Sequence, residues 1–287
     1  MSRAKRKEGL ERALYRFRRN RLAIVGLIII AIEILAALLA PVLAPYPEDA
    51  GKNVDFGKQL LPPGREHPFG TDEAGRDVLS RVLFGARISL QLAATVLIVA
   101  VLIGVPLGIA AGYFGGWAEQ VIMRVTDMFL ALPPLVFALA ISAVLRPSLQ
   151  SSILAISFVW WRGFCRLAYG ETLSLKQEDY VQASKSLGAS DWHIMIREIL
   201  PNMTSPILVK ISLDAGYAIL IGTAISFLGL GAQPPIAEWG VMISEGRGYL
   251  PFAWWPSLFP GLAIFVTVLS FNFIGDGLRD FFDVDVN

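Results

Sequence analysis

Residues 88 to 113, ISLQLAATVLIVAVLIGVPLGIAAGY, contain no Asp, Glu, Lys, Arg or His, and this run constrains the chain more than any other feature. A bilayer's hydrocarbon core is about 30 Å thick and takes about 20 apolar helical residues to cross, so the run reads as a membrane span. Five further windows satisfy the same rule, at 22 to 44, 122 to 145, 151 to 169, 207 to 231 and 257 to 275. The composition agrees, with 54% of the 287 residues hydrophobic and 17% charged, against about 25% charged in an ordinary soluble domain. The expectation is an all-α membrane protein with six transmembrane helices.

The first window follows nine basic residues packed into the first 21 positions and is broken only by Glu33. A secretory signal also starts basic, but its apolar region is about 7–15 residues long, so this stretch is expected to be an uncleaved span. The window at 151 to 169 is the least regular, because Arg162 and Arg166 interrupt it. Parity retains it, since short cytoplasmic loops carry the Lys and Arg excess. With six spans and the N-terminus inside, the inner side holds the nine N-terminal basic residues with Arg124, Arg162, Arg166, Lys176, Lys185, Arg197, Lys210 and Arg279. The outer side then holds the remaining eight of 25. Both termini are expected in the cytoplasm.

Several function classes fall away on chemistry. A formal charge of +1 gives no basic excess for nucleic acid, Cys165 has no disulfide partner, and His67 and His193 show no metal-ligand spacing. No GxxxxGK[ST] phosphate loop, HExxH or GxSxG pattern occurs, so no catalytic residues and no metal are expected, and any energy must come from a partner. Glu33 and Asp214 are ionisable groups inside spans, which by default face the bundle or a cavity. Both are candidates for a translocation pathway, and for Glu33 a protonated carboxyl hydrogen-bonded to a neighbouring helix is the alternative. An intramembrane aspartyl protease would have to use this pair, and no flanking motif supports it. A self-sufficient secondary transporter often shows an internal repeat, and none is visible.

Two connections are long. In the outer one, from 45 to 87, the GTDEAGRD stretch is expected to be structural, with Gly70 and Gly75 as turn residues and Arg76 and Arg81 pairing locally with Asp72, Glu73 and Asp77. In the inner one, EDYVQASKSLGASDWHIMIREILPN reads as a helix, a break at Gly188, and a second helix stopping before Pro201. Tyr180, Val181, Ala183, Ser184 and Leu187 share one face by their three- and four-residue spacing, and Gln182, Lys185 and Ser186 point elsewhere. Such a helix can dock in a groove of a partner or remain a solvated loop helix.

Gln182, Ala183 and Ser184, then Gly188 after three residues, then Ile199, Leu200 and Pro201, resemble the EAA loop of permease subunits of ATP-binding-cassette (ABC) importers. FRRNRLAIVG, HPFGTDEAGRDVLSRVLFGARISL, GYFGGW, ISFLGLGAQPP with Trp239 and Gly240, and FNFIGDGLRD occur in order from Phe17 to Asp280. They resemble the C-type subunit of the dipeptide and oligopeptide branch. The resemblance implies type I importer permease architecture in a bacterial or archaeal cell (inner) membrane. Residues 1–87 would hold the basic segment, first span and outer loop, and 88–287 a core of five spans with a coupling loop at 171–206.

The same resemblance implies partners: a second, homologous permease subunit, two cytoplasmic ATPase subunits that bind the ATP and Mg, and an extracytoplasmic substrate-binding protein. It further implies a coupling helix from about Asp179 to Ala189, set in a cleft of an ATPase, and a cargo of di- or oligopeptides, with nickel complexes or oligosaccharides as alternatives. Three features depart from the pattern. Gln182 and Ser184 replace a Glu and an Ala, Glu198 stands where an uncharged residue or His is commoner, and no proline follows the last Asp of GDGLRDFFDVDVN. A neutral Gln182 can hydrogen-bond but cannot form a salt bridge.

Overall fold

The computed structural model describes residues 20–282. The basic residues from Arg3 to Arg19 and the proline-less end after Phe282 lie outside them. In chain order come α1 (Arg21–Leu38), α2 (Val78–Phe114), α3 (Gly116–Leu130), α4 (Pro134–Val144), α5 (Leu149–Leu175), α6 (Asp179–Ser186), α7 (Thr204–Phe227), α8 (Trp239–Gly246) and α9 (Trp255–Phe282), with short helical turns between them. An isolated bridge between Thr71 and Asp77 is the extent of β pairing among the described residues. Long apolar segments fold as helices because a backbone in lipid must satisfy its N–H and C=O groups internally.

α1, α2, α7 and α9 each have the length and apolarity of a membrane span, matching four of the six windows. The window at 122–145 is not one straight helix: α3 and α4 meet at 90°, as a broken span or a re-entrant turn. The break falls at Pro133 and Pro134, which cannot donate a backbone N–H and so leave carbonyls at the end of α3 without helical partners. Arg162 of α5 fills that gap by donating from Nη1 to Phe129 O and, at 3.1 Å, to Leu132 O. The arginine that made the fourth window irregular thus caps the end of α3.

α5, 27 residues long, is less apolar than the four clear spans, and its polar groups are turned to a neighbour. Arg166 pairs with Asp127, and Tyr169 donates to Glu119. With Arg162, this places three contacts to α3 at successive turns. Membrane proteins put ionisable side chains against other helices for this reason.

The tightest packing joins α2 to α5 through Gly104, Gly108 and Gly112 at four-residue spacing. A Cβ on Gly108 would lie 2.3 Å from Cys165 O and 2.7 Å from Ala168 Cβ, so the backbones touch. Small residues repeated at this interval allow such approach between membrane helices.

The segment before α2 folds over the end of the bundle formed by α8 and the start of α9. Asp77 caps α2, accepting from Ser80 N at 2.7 Å and Ser80 Oγ at 2.8 Å. Gly70 and Gly75 take φ of +72° and +77°, the turn role expected of them. Phe69 stacks on Phe259 at 3.9 Å, Trp255 Nε1 donates to Thr71 O at 3.0 Å, and Trp239 Nε1 donates to Val82 O at 3.1 Å.

Candidate functional site

Two polar assemblies sit at opposite ends of α2, a 37-residue rod of about 55 Å. At its N-terminal end, Arg76 Nε donates to Asp72 at 2.8 Å and its Nη2 to Glu73 at 3.1 Å. Arg81, fully buried, reaches Asp72 at 3.2 Å and Glu245 of α8 at 2.9 Å. The expected local pairing holds for Asp72 and Glu73, but Asp77 meets His67 at 2.9 Å instead of an arginine, and Glu245 is a long-range partner invisible to the motif. Burial, then the charges of Asp72 and Glu245, pushes the Glu73 carboxyl up. Desolvation pulls the Arg76 guanidinium down, but the three surrounding carboxylates carry it net above its ordinary value. Asp72, Glu73 and Glu245 lie close enough together to hold a cation, but Arg76 and Arg81 already supply the positive charge.

At the other end of α2 lies the loop between α5 and α7. Gly188 has φ of +85° with open space around its missing Cβ, so it reverses the chain after α6 as expected. Two of the departures from the family pattern meet here, because Ser184 Oγ donates to Glu198 Oε1. The third residue, Gln182, donates from Nε2 to Lys176 O at 2.7 Å, capping the end of α5. A carboxylate could not donate there. Asn202 Nδ2 ties the same loop together, donating to Tyr180 OH at 3.1 Å and Glu198 O at 2.6 Å.

The second helical piece does not stop before Pro201. It runs as Asp191–His193, a π-helical stretch Ile194–Ile199, and Leu200–Asn202. The wider π register accommodates a proline that would clash with an ordinary α-helical carbonyl. Ile199 is buried, Leu200 half-buried and Pro201 exposed. On α6, Val181 is buried and Ser184 half-buried, while Gln182 and Ala183 are exposed. Leu187 does not share the inner face of Val181: as the cap residue it still bonds Ala183 O at 3.0 Å, and six residues on it stands about 120° round the helix from Val181. It is 89% exposed, and Trp192 beyond the glycine is 71% exposed. No motif or periodicity in the sequence marks Trp192.

The loop is tied to α2 twice: Lys176 Nζ donates to Gly112 O at 2.7 Å, and Tyr113 OH donates to Asp191 Oδ1 at 2.7 Å. Of the two intramembrane carboxylates, Glu33 accepts from Thr267 Oγ1 of α9 at 2.9 Å. Asp214 pairs with Lys210 at 3.0 Å, and Lys210 lies over the Phe164 ring at 5.1 Å. Glu33 and Asp214 thus have separate partners, one on α9 and one within α7.

Residues 104–287 match the family of binding-protein-dependent transport system inner membrane components, and residues 10–63 match the N-terminal transmembrane domain of oligopeptide transport permease C. The chain belongs to this permease family. The dipeptide transport system permease protein DppC of Alkalihalophilus pseudofirmus is 44% identical over 94% of this permease and 88% of the relative. The probable D,D-dipeptide transport system permease protein DdpC of Escherichia coli is 44% identical over 91% and 87%. The glutathione transport system permease protein GsiD of Pectobacterium atrosepticum is 41% identical over 93% and 88%. In fold, the permease resembles a chain of the MetNI methionine ABC transporter in inward-facing conformations, with a TM-score of 0.59 and 15% identity over 72% of this permease and 97% of that chain. The chain is therefore a multi-pass membrane permease of the ABC importer type, as the motifs implied.

Proposed function

We propose that this permease forms half of the translocation pathway of an ATP-driven importer for di- or oligopeptides, the other half being a second, homologous permease. Two ATPase subunits bind ATP and Mg and dock on the α5–α7 loop, and a substrate-binding protein delivers the solute at the opposite face. In this reading α5 and the bent pair α3–α4 complete six spans, with both termini in the cytoplasm. The observation that carries the coupling role is the loop itself: it exposes Leu187 and Trp192 while hydrogen bonds from Lys176 and Tyr113 fix it to α2. A docked partner that moved the loop would move α2, and with it the far end of the bundle. Peptides are the favoured cargo because the relatives named above are dipeptide and glutathione permeases. Asp214, with Lys210, is the pathway candidate, and Glu33, turned to α9, is a secondary one.

Gly188→Val tests the placement of the coupling site. A β-branched residue at φ of +85° costs about 1–2 kcal/mol of backbone strain, and the open surroundings add no clash. The variant is expected to insert normally and to lose about tenfold in ATP-driven uptake. Unchanged uptake together with unchanged association of the ATPase subunits would place the coupling site elsewhere.

A further inference from the structure

We propose that the permease binds one phospholipid in a crevice between α1, α2, α7 and α9, in the leaflet away from the α5–α7 loop, with the lipid phosphate held by Arg87. The crevice encloses about 720 Å³ and is walled by Ile34 and Ala37 of α1, Ala94 and Ile98 of α2, Ala215 of α7 and Phe271 of α9. Arg87 and Gln91 are the polar residues of its lining, and they stand a turn apart at the end of α2 that carries the Asp77 cap.

From that end, Arg87, Gln91, Ala94, Ile98 and Val101 repeat at three- and four-residue spacing, so they form one stripe along the helix. The stripe is about 21 Å long, enough to follow an acyl chain through the roughly 15 Å of one leaflet. Water gains nothing in such a space, because an apolar cavity offers it no hydrogen bonds. Ile98 is 59% exposed, so the crevice opens sideways to the bilayer.

Arg87 decides the class of ligand. It is exposed at the mouth and has no hydrogen-bond or ion-pair partner among the described residues, whereas Arg76, Arg81, Arg162 and Arg166 all have one. A guanidinium offers paired N–H groups that match phosphate oxygens. An acyl chain along the stripe carries its phosphate to this place. A helix of the second permease subunit is the competing occupant, and it would need its own acid opposite Arg87.

The test is native mass spectrometry of the full permease complex, extracted in mild detergent and supplied with phosphatidylglycerol in mixed micelles. The unmodified complex is expected to retain one phospholipid per copy of this chain, Arg87→Ala to lower its occupancy about tenfold, and Ala94→Trp to exclude it. Absence of the adduct from the unmodified complex, or equal occupancy in both variants, would overturn the proposal. A benzophenone side chain at position 98 supplies a readout that does not depend on how the variants fold. Capture of phospholipid supports the site, and capture of the second permease subunit overturns it. Either result leaves the transport function untouched, since lipid occupancy alone is read.

Discussion

Gly108→Leu is expected to abolish folded permease in the membrane, or to leave a small fraction that does not transport. The Cβ of any residue at this position would stand 2.3 Å from Cys165 O. That neighbour is backbone and cannot rotate away, so α2 and α5 must separate along the whole glycine stripe. Overpacking a well-filled interior costs about 1–3 kcal/mol at a single site. Here the separation also weakens contacts at Gly104, whose Cβ would stand 2.3 Å from Trp161 O, and at Gly112, whose Cβ would stand 2.7 Å from Thr172 Cβ. Gly108→Ala should be damaging in the same direction and to a smaller degree. Gly261, with nothing within 4 Å of its missing Cβ, provides the control. Membrane abundance and the midpoint of thermal aggregation in detergent measure the effect, and Gly108→Leu behaving like Gly261→Leu would show that the close approach is wrong.

Arg81→Met is expected to be the most damaging change at the other polar assembly. Arg81 is fully buried and pairs with Asp72 and Glu245, so its loss leaves both carboxylates to share Arg76. Removing one partner of a buried pair costs about 3–5 kcal/mol, because the remaining charge stays desolvated and unpaired. Asp72 lies in the segment before α2 and Glu245 in α8, so the variant should also loosen the cover over the bundle end and expose it to limited proteolysis. Arg81→Lys keeps the charge but cannot reach two carboxylates at once, and should recover part of the stability. Equal thermal midpoints for Arg81→Met and the unmodified protein would show that this assembly contributes nothing to stability.

The parts of the fold legible in the sequence are those governed by local pattern. α1, α2, α7 and α9 were readable because apolar runs of that length have few alternatives, and Gly188 because a helix stop favours the residue that accepts positive φ. The role of Gly104, Gly108 and Gly112 emerges only from the fold, because their spacing does not tell which helix they meet. Long-range pairing was out of reach. Arg162 reads as an interruption of a span in the sequence, because its acceptors at the 90° bend before Pro133 and Pro134 lie 30 and 33 positions away. Arg81 and Glu245 are 164 positions apart, so no motif window holds both.

The loop between α5 and α7 shows the same division. Gln182, Ser184 and Glu198 stood out only as departures from a pattern. The fold turns them into internal ties, with Ser184 bonded to Glu198 and Gln182 capping α5. Replacing Glu by Gln therefore exchanges an outward charge for a donor the chain uses itself. Trp192 carries no local mark in the sequence, because its exposure depends on how the turn Asp191–His193 stands beyond Gly188.

Reconstitution into liposomes tests the central claim most directly. The permease, its homologous second subunit, the two ATPase subunits and the binding protein are assembled, and uptake of a labelled dipeptide is followed. The account predicts uptake that requires ATP and every one of these components, and that falls about tenfold with Gly188→Val. Uptake by this chain alone, driven by an ion gradient without ATP, would contradict it.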